Sequence, residues 1–181
     1  MIVLVGESAC GKSTIESVLA SQYGLEKVIS YTTRPSRDGE IDGADYHFIS
    51  EDDYKDKVDR GFFTEVGAYN GWLYGSSLED CKRDSVAVVT PHGMRQIKKN
   101  VSEIQLYTVY LNVPRRDRFI ASLKRGDGSS KAIEETKRRD GSDVGQYDGI
   151  VDEVDVVIDN KAYRKTPREI CDEIIAKIGD M

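Results

Sequence analysis

Residues 6 to 14 read Gly-Glu-Ser-Ala-Cys-Gly-Lys-Ser-Thr. The spacing Gly-x-x-x-x-Gly-Lys-Ser, directly behind the apolar run Ile2 to Val5, is a phosphate-binding loop. A strand ending at Val5, a turn on Gly6 and Gly11 and a helix opening at Lys12 aim several backbone N–H groups and a helix N-terminus at one spot, where anionic phosphate is favoured. Lys12 supplies a point charge for the β- and γ-phosphates of a nucleoside triphosphate. Ser13 supplies a hydroxyl for Mg²⁺, an ion held by few protein ligands together with the substrate's phosphates. A second group of the same chemical kind follows. Residues 32 to 48 read Thr-Thr-Arg-Pro-Ser-Arg-Asp-Gly-Glu-Ile-Asp-Gly-Ala-Asp-Tyr-His-Phe. Arg34 and Arg37 fall in one turn with Tyr46 shortly beyond, and two guanidinium groups with phenol hydroxyls near a phosphate loop would hold a second phosphate.

These groups need a scaffold. After the loop, Ile15, Val18 and Leu19 repeat at helical spacing and Gly24 stops the helix behind Tyr23. Lys27 to Ser30, Val86 to Thr90, Gln105 to Val113 and Asp155 to Asp159 are short β-branched or apolar runs with helical patterns between most of them, which predicts a parallel sheet covered by helices. Pro114 to Lys124 reads as a helix opened by proline. In the closing helix Thr166 and Glu169 form a capping box, Pro167 occupies the first turn, and Ile170, Ile174 and Ile178 make a buried stripe. Two stretches break the alternation. Residues 31 to 81 are polar and rich in Tyr and Gly, with one helix signal over Glu51 to Arg60 between Ser50 and Gly61, and read as an inserted lobe. Residues 125 to 149 carry Gly-Asp-Gly-Ser-Ser and the basic cluster Lys137, Arg138, Arg139, with little to bury, the composition of a mobile lid.

The totals set the frame. The 181 residues suit one domain with insertions, divided here into a core (1–30, 82–124, 150–181), a lobe (31–81) and a lid (125–149). A charged share of 32% with a net charge of −6 fits a globular protein and argues against a nucleic-acid surface, so any bound phosphate must be met locally. No apolar run approaches membrane-spanning length, and the loop starts six residues from Met1, so neither a membrane segment nor a targeting peptide is expected. Cys10, Cys81 and Cys171 are odd in number and lack metal-ligand spacing, which fits a reducing compartment and a cytoplasmic protein. His47 and His92 show no partner spacing for metal or catalysis.

The chain resembles guanylate kinases. The signature runs from Ser30 through Phe48 and continues in Phe62-Phe63-Thr64-Glu65 and Tyr74-Gly75-Ser76, sharp from residue 2 to 77 and looser afterwards. The resemblance implies an α/β phosphate-loop NTPase fold and transfer of the γ-phosphoryl group of ATP to GMP, plausibly also dGMP, with Mg²⁺. By matched position, Arg34, Arg37, Tyr46 and Tyr74 would grip the GMP phosphate, Ser30, Glu65 and Ser76 would read the base, and residues Gly6 through Thr14, with Asn160, would serve ATP. Arg125 before Gly126, and Arg138 or Arg139, match the lid arginines, and Lys12, Arg34 and these three would carry catalysis. The chemistry of the base supports Glu65: guanine shows two adjacent N–H donors where adenine has none, and a buried carboxylate left unpaired costs about 2 to 5 kcal/mol. The chain departs from the usual pattern at Glu7 and Ala9, where proline and glycine are typical, and at Val88, Thr90 and His92, where aspartates and glutamine are typical. Glu7 would be mildly repulsive to phosphate unless turned outward. Thr90 leaves open a kinase of another monophosphate, and a non-catalytic binding module is the remaining reading, against which the intact Lys12 and Ser13 speak.

Overall fold

The computed structural model describes residues 1–125 and 129–179. Gly126 of the Arg-Gly pair, and the last two residues of the stretch 150–181, therefore lie outside the described residues.

A five-stranded, wholly parallel sheet forms the centre, built from β1 (Ile2–Val5), β2 (Glu26–Lys27), β7 (Ser85–Val88), β8 (Tyr107–Asn112) and β9 (Val156–Asp159), in the order β2-β7-β1-β8-β9. β1 is central and every one of its residues is buried. Its alternating side chains feed two cores: Ile2 and Leu4 join Ile15, Leu19, Ile170, Cys171 and Ile174 on one face, while Val3 and Val5 join Val28, Met94, Ile97 and Ile150 on the other. A strand covered on both faces has no polar side to show, and that is why Ile2 to Val5 is apolar without alternation. On the first face lie α1 (Lys12–Tyr23) and α6 (Pro167–Gly179), and on the second lies α3 (Pro91–Asn100).

The element ends have local causes. Gly24 adopts φ 73° and its N–H reaches the Leu19 carbonyl, the left-handed stop for which glycine is suited. The Thr166–Glu169 box is formed reciprocally, with Thr166 N–H donating to Glu169 Oε2 at 2.7 Å and Glu169 N–H to Thr166 Oγ1 at 3.3 Å. α4 covers Arg115–Arg125, one residue off the expected Pro114 to Lys124. The predicted strand Lys27 to Ser30 shrinks to the edge pair β2, and Val86 to Thr90 ends early because Thr90 caps α3, its hydroxyl accepting from Gly93 N–H at 3.2 Å.

A second, four-stranded sheet contains β3 (Tyr31–Thr32), β4 (His47–Phe48), β5 (Phe63–Tyr69) and β6 (Trp72–Ser77) in the order β4-β3-β6-β5, with α2 (Glu51–Asp59) beside it. The sequence reading named one helix in this stretch and no strands. The available signal was Asn70-Gly71: both residues take positive φ, 54° and 81°, and turn β5 into β6 as a two-residue hairpin. The two sheets are joined through α3. The Gln96 side-chain amide accepts from Val66 N–H at 3.1 Å and donates to Val66 O at 2.7 Å, and Asn100 Nδ2 donates to Thr64 O at 2.7 Å. Finally, α5 (Ser130–Asp143), capped by Ser129, packs on α4 and buries Thr136 and Asp143.

Candidate active site

The phosphate loop leaves the C-terminal end of the central strand and delivers the chain into α1. No side chain caps α1 and no acidic residue occupies its first turn, so its leading N–H groups meet no competing carboxylate of the helix itself. Gly6 is required by close approach: a Cβ there would lie 2.6 Å from Cys10 Sγ and 3.0 Å from Leu111 O. Cys10 is thereby a buried filler beneath the loop. Ala9 takes φ 66°, a left-handed conformation that costs a non-glycine residue roughly 1–2 kcal/mol. Its carbonyl accepts from the Tyr163 hydroxyl at 2.6 Å, which helps to hold it. The Lys12 ammonium folds over the loop and donates to Gly6 O and to Glu7 O, the latter at 3.0 Å.

Glu7 does not turn outward. Its carboxylate faces Arg118 at 3.3 Å and accepts from the Tyr110 hydroxyl at 3.0 Å. Arg118 is buried, and it also donates to Val113 O at 3.0 Å and to Ser8 O at 3.3 Å. The acid that departs from the usual pattern is thus neutralised from below the loop, and the expected repulsion toward phosphate is met by a buried cation.

Across from the loop, the second sheet presents the other group. Arg34 is 7% exposed, forms a two-pronged ion pair with Glu40 (2.9 Å for both contacts), and lies against the rings of Tyr46 and Phe48, at 5.2 and 5.6 Å from their centroids. Burial pulls its pKa down, but Glu40 outweighs that and holds the guanidinium charged. Glu40 also accepts from Arg37 N–H at 2.8 Å, fixing the turn that carries both arginines. The Glu65 carboxylate is 6% exposed and faces its cross-strand neighbour Ser76, whose hydroxyl donates to Oε1 at 2.8 Å, with Ser30 Oγ 3.1 Å from Ser76 Oγ. Burial raises the Glu65 pKa above the ordinary carboxylate range, and the bonds from Ser76 only partly offset it. Gly93 of α3 sits directly against this acid: a Cβ there would stand 2.8 Å from Glu65 Oε2.

Both groups line one cleft of about 310 Å³. From the loop side come Ser8, Ala9, Lys12 and Ser13; from the second sheet come Arg34, Arg37, Tyr46, Glu65 and Tyr74, with Ser30 beside them. Arg125, Arg138 and Arg139 line it from α4 and α5. Arg138 and Arg139 are both held by Glu135, with contacts of 2.6 Å each. Burial lowers the Arg37 pKa, and the neighbouring charges of Arg139 and Arg34 lower it further. Such converging cations are arranged for an anion.

Some expected residues lie elsewhere. Ser76 stands behind Glu65; Gly6, Glu7, Cys10 and Gly11 belong to the loop without lining the cleft; and Thr14 is exposed on the first turn of α1, also outside the lining. Asn160 does not line it either: its side chain is closed on the backbone of Lys165, accepting from Lys165 N–H at 2.9 Å, and so shapes the turn that carries Tyr163. Val88 and Thr90 do line the cleft, whereas His92 is exposed on α3 and His47 stacks on Tyr31 at 4.4 Å. Sequence reasoning missed Arg118, Asp143, Tyr147 and Tyr69. Asp143 accepts from Ser8 N–H at 2.7 Å, the Tyr147 hydroxyl donates to Gly6 O at 2.7 Å, and Tyr69 Oη lies 3.1 Å from Ser8 Oγ. No local spacing marks them, since their partners in the phosphate loop are 61 to 141 residues away.

A parallel sheet, a glycine-bounded loop at the end of its central strand and a facing arginine pair define an α/β nucleotide-binding protein of the phosphate-loop NTPase type. The family model for guanylate kinase matches residues 1–175, and the chain belongs to the guanylate kinase family. It is 28% identical over 181 aligned residues to the guanylate kinase of Haemophilus influenzae, covering 94% of this chain and 84% of that one. To the guanylate kinase of Schizosaccharomyces pombe it is 30% identical, covering 91% and 86%. The crystal structure of guanylate kinase from Anaplasma phagocytophilum superposes with a TM-score of 0.68 at 18% identity, over 98% of this chain and 85% of that one, a likeness of fold.

Proposed function

We propose that this protein transfers the γ-phosphoryl group of ATP to GMP, and also to dGMP, since no residue of the cleft is assigned to the 2′ position. The observation that carries the reading is the joint presence, in one cleft, of the Lys12 loop, the Arg34–Arg37 pair and the buried Glu65, which Ser76 backs with a hydrogen bond. Glu65 would accept both adjacent N–H groups of guanine, and a hydroxyl would donate to O6. Arg34, Arg37, Tyr46 and Tyr74 would clasp the monophosphate. The acceptor oxygen is already anionic, so no side-chain base is needed and catalysis reduces to alignment and charge neutralisation.

On the donor side, Lys12 would exchange its loop carbonyls for triphosphate oxygens, a stronger charge-assisted contact. Residues 31–81 serve in this reading as the GMP lobe and 125–149 as the lid, with Arg125, Arg138 and Arg139 meeting the transferring group. Arginines so placed are worth about 10³ to 10⁵ in rate in well-studied cases. The residues present fit Mg²⁺: Ser13 is exposed at the start of α1 and lines the cleft, where its hydroxyl would hold the ion together with water and the substrate's phosphates. Bound there, the ion would neutralise charge on the phosphate oxygens. Among the described residues no helix is long and apolar enough to cross a membrane, which is compatible with a cytoplasmic enzyme.

The test is ADP production from ATP with each nucleoside monophosphate in turn. GMP and dGMP are expected to support turnover far better than AMP, CMP or UMP. Lys12→Ala is expected to abolish it while leaving the circular dichroism spectrum unchanged. Preference for another monophosphate would overturn the substrate assignment, and guanine-nucleotide binding without any turnover would favour a binding module.

A further inference from the structure

Asp143 is unused by the reading above, yet it is 7% exposed, lines the cleft and bonds a phosphate-loop amide. It is the last residue of α5, and Arg139 stands four residues before it, so both project from one face of the helix. Both backbone groups of Ser8 are held: its N–H donates to Asp143 Oδ2 at 2.7 Å and its carbonyl accepts from Arg118 Nη1 at 3.3 Å. Arg118 Nη1 and Asp143 Oδ2 themselves approach to 3.7 Å. A carboxylate so deeply buried needs such partners, and any departure from the loop would cost it the Ser8 hydrogen bond and leave only the longer contact with Arg118 of α4. α5 is also tied to the second sheet, through Ser142 Oγ donating to Asn70 Oδ1 at 2.8 Å.

We propose that Asp143 is a positioning residue: by docking the end of α5 on the Ser8 amide, it fixes Arg139 one turn away in register with the triphosphate loop. The proposal rests on Arg139 serving the phosphoryl group. Arg139 pairs with Glu135 of its own helix at 2.6 Å, a contact that sets its direction relative to α5 and not relative to the loop. Asp143 supplies the missing reference, because it joins the two elements that must face one another during transfer. A misplacement of about 1 Å in such a group costs up to about a hundredfold in rate.

The experiment is a double-mutant cycle in the full chain, with steady-state kinetics for ATP and GMP on Asp143→Ala, Arg139→Ala and the pair. Asp143→Ala is expected to lower kcat by about ten- to a hundredfold with the KM for GMP nearly unchanged, and to lower it by less than about threefold when Arg139 is already absent. An equal loss in both backgrounds would assign Asp143 a structural role only and overturn the proposal. So would an unchanged kcat, or a lower KM for ATP, which would make the carboxylate an obstruction to phosphate. Asp143→Asn keeps the shape and an acceptor for Ser8 while removing the charge facing Arg118, and it replaces the alanine variant in the same cycle if that variant does not fold. Arg139→Ala at full activity would remove both the role of Arg139 and this proposal, whereas a deficient Arg139→Ala beside an unimpaired Asp143→Ala would remove this proposal alone.

Discussion

Glu65 shows how one side chain can hold both a preference and a cost. The fold buries it opposite Ser76 and raises its pKa, so in the empty protein the carboxyl ionises at a higher pH than an ordinary acid. Accepting two N–H groups from guanine requires the ionised form. The affinity for GMP is therefore expected to fall as pH drops through that raised pKa, giving an acidic limb in kcat/KM for GMP at a pH above the usual carboxylate range. Glu65→Gln is expected to abolish that limb and to raise the KM for GMP far more than that for ATP, as pH profiles for both substrates would show. An ordinary GMP saturation curve in this variant would remove the base-site assignment. Arg34, Arg37 and Tyr46 were legible because they sit within one short signature, and Glu65, Tyr74 and Ser76 because the segments Phe62 to Glu65 and Tyr74 to Ser76 keep the family's spacing; that Glu65 and Ser76 are cross-strand neighbours in a hairpin came only with the structure. Asp143 and Arg118 were not legible, because their chemistry exists only once distant segments meet.

At the scale of elements, the α4 to loop junction is the least expected part of the molecule. Arg118 is buried among backbone carbonyls, Glu7 and Asp143, so truncating it leaves two acids without their shared cation. Arg118→Ala is expected to destabilise the protein by about 3–5 kcal/mol, a cost typical of breaking a buried pair. Adding Glu7→Gln should recover part of it, and urea unfolding of the two single variants and the double measures both. Patterning found β1, β7, β8 and β9 within a few residues, because strands covered on both faces read as apolar runs, whereas the edge pair β2, Glu26–Lys27, overlaps the expected Lys27 to Ser30 by a single residue. Patterning failed over residues 31 to 77, where strands of two residues and a half-exposed hairpin leave no run long enough to see.

For the whole molecule, two expectations concern balance between the layers. Burial lifts the Glu16 carboxyl on α1 to about 7 from 4.5, with Lys27 opposing. Because its folded-state pKa is the higher one, its stabilising contribution is full below its unfolded pKa and is lost as pH rises through about 7. Glu16→Gln, which cannot ionise, is expected to raise the melting temperature relative to the parent at about pH 8 and not at about pH 4. The second concerns shape. In this structure Tyr69 and Asn70 of the hairpin touch both the loop and α5. Occupation of the Arg34–Glu65 side is expected to favour this closed arrangement, so small-angle scattering should give a smaller radius of gyration with GMP than without, and identical dimensions would count against a moving lobe.

The bare backbone of Gly93 has a reach beyond its own helix. In the proposed reading, purine discrimination would depend on an atom that is missing as much as on the acid that is present, since a single added methyl would crowd the Glu65 carboxylate. A side chain at position 93 would have to displace the Glu65 carboxylate, so the helix and the strand that face each other there set the place of the acid together.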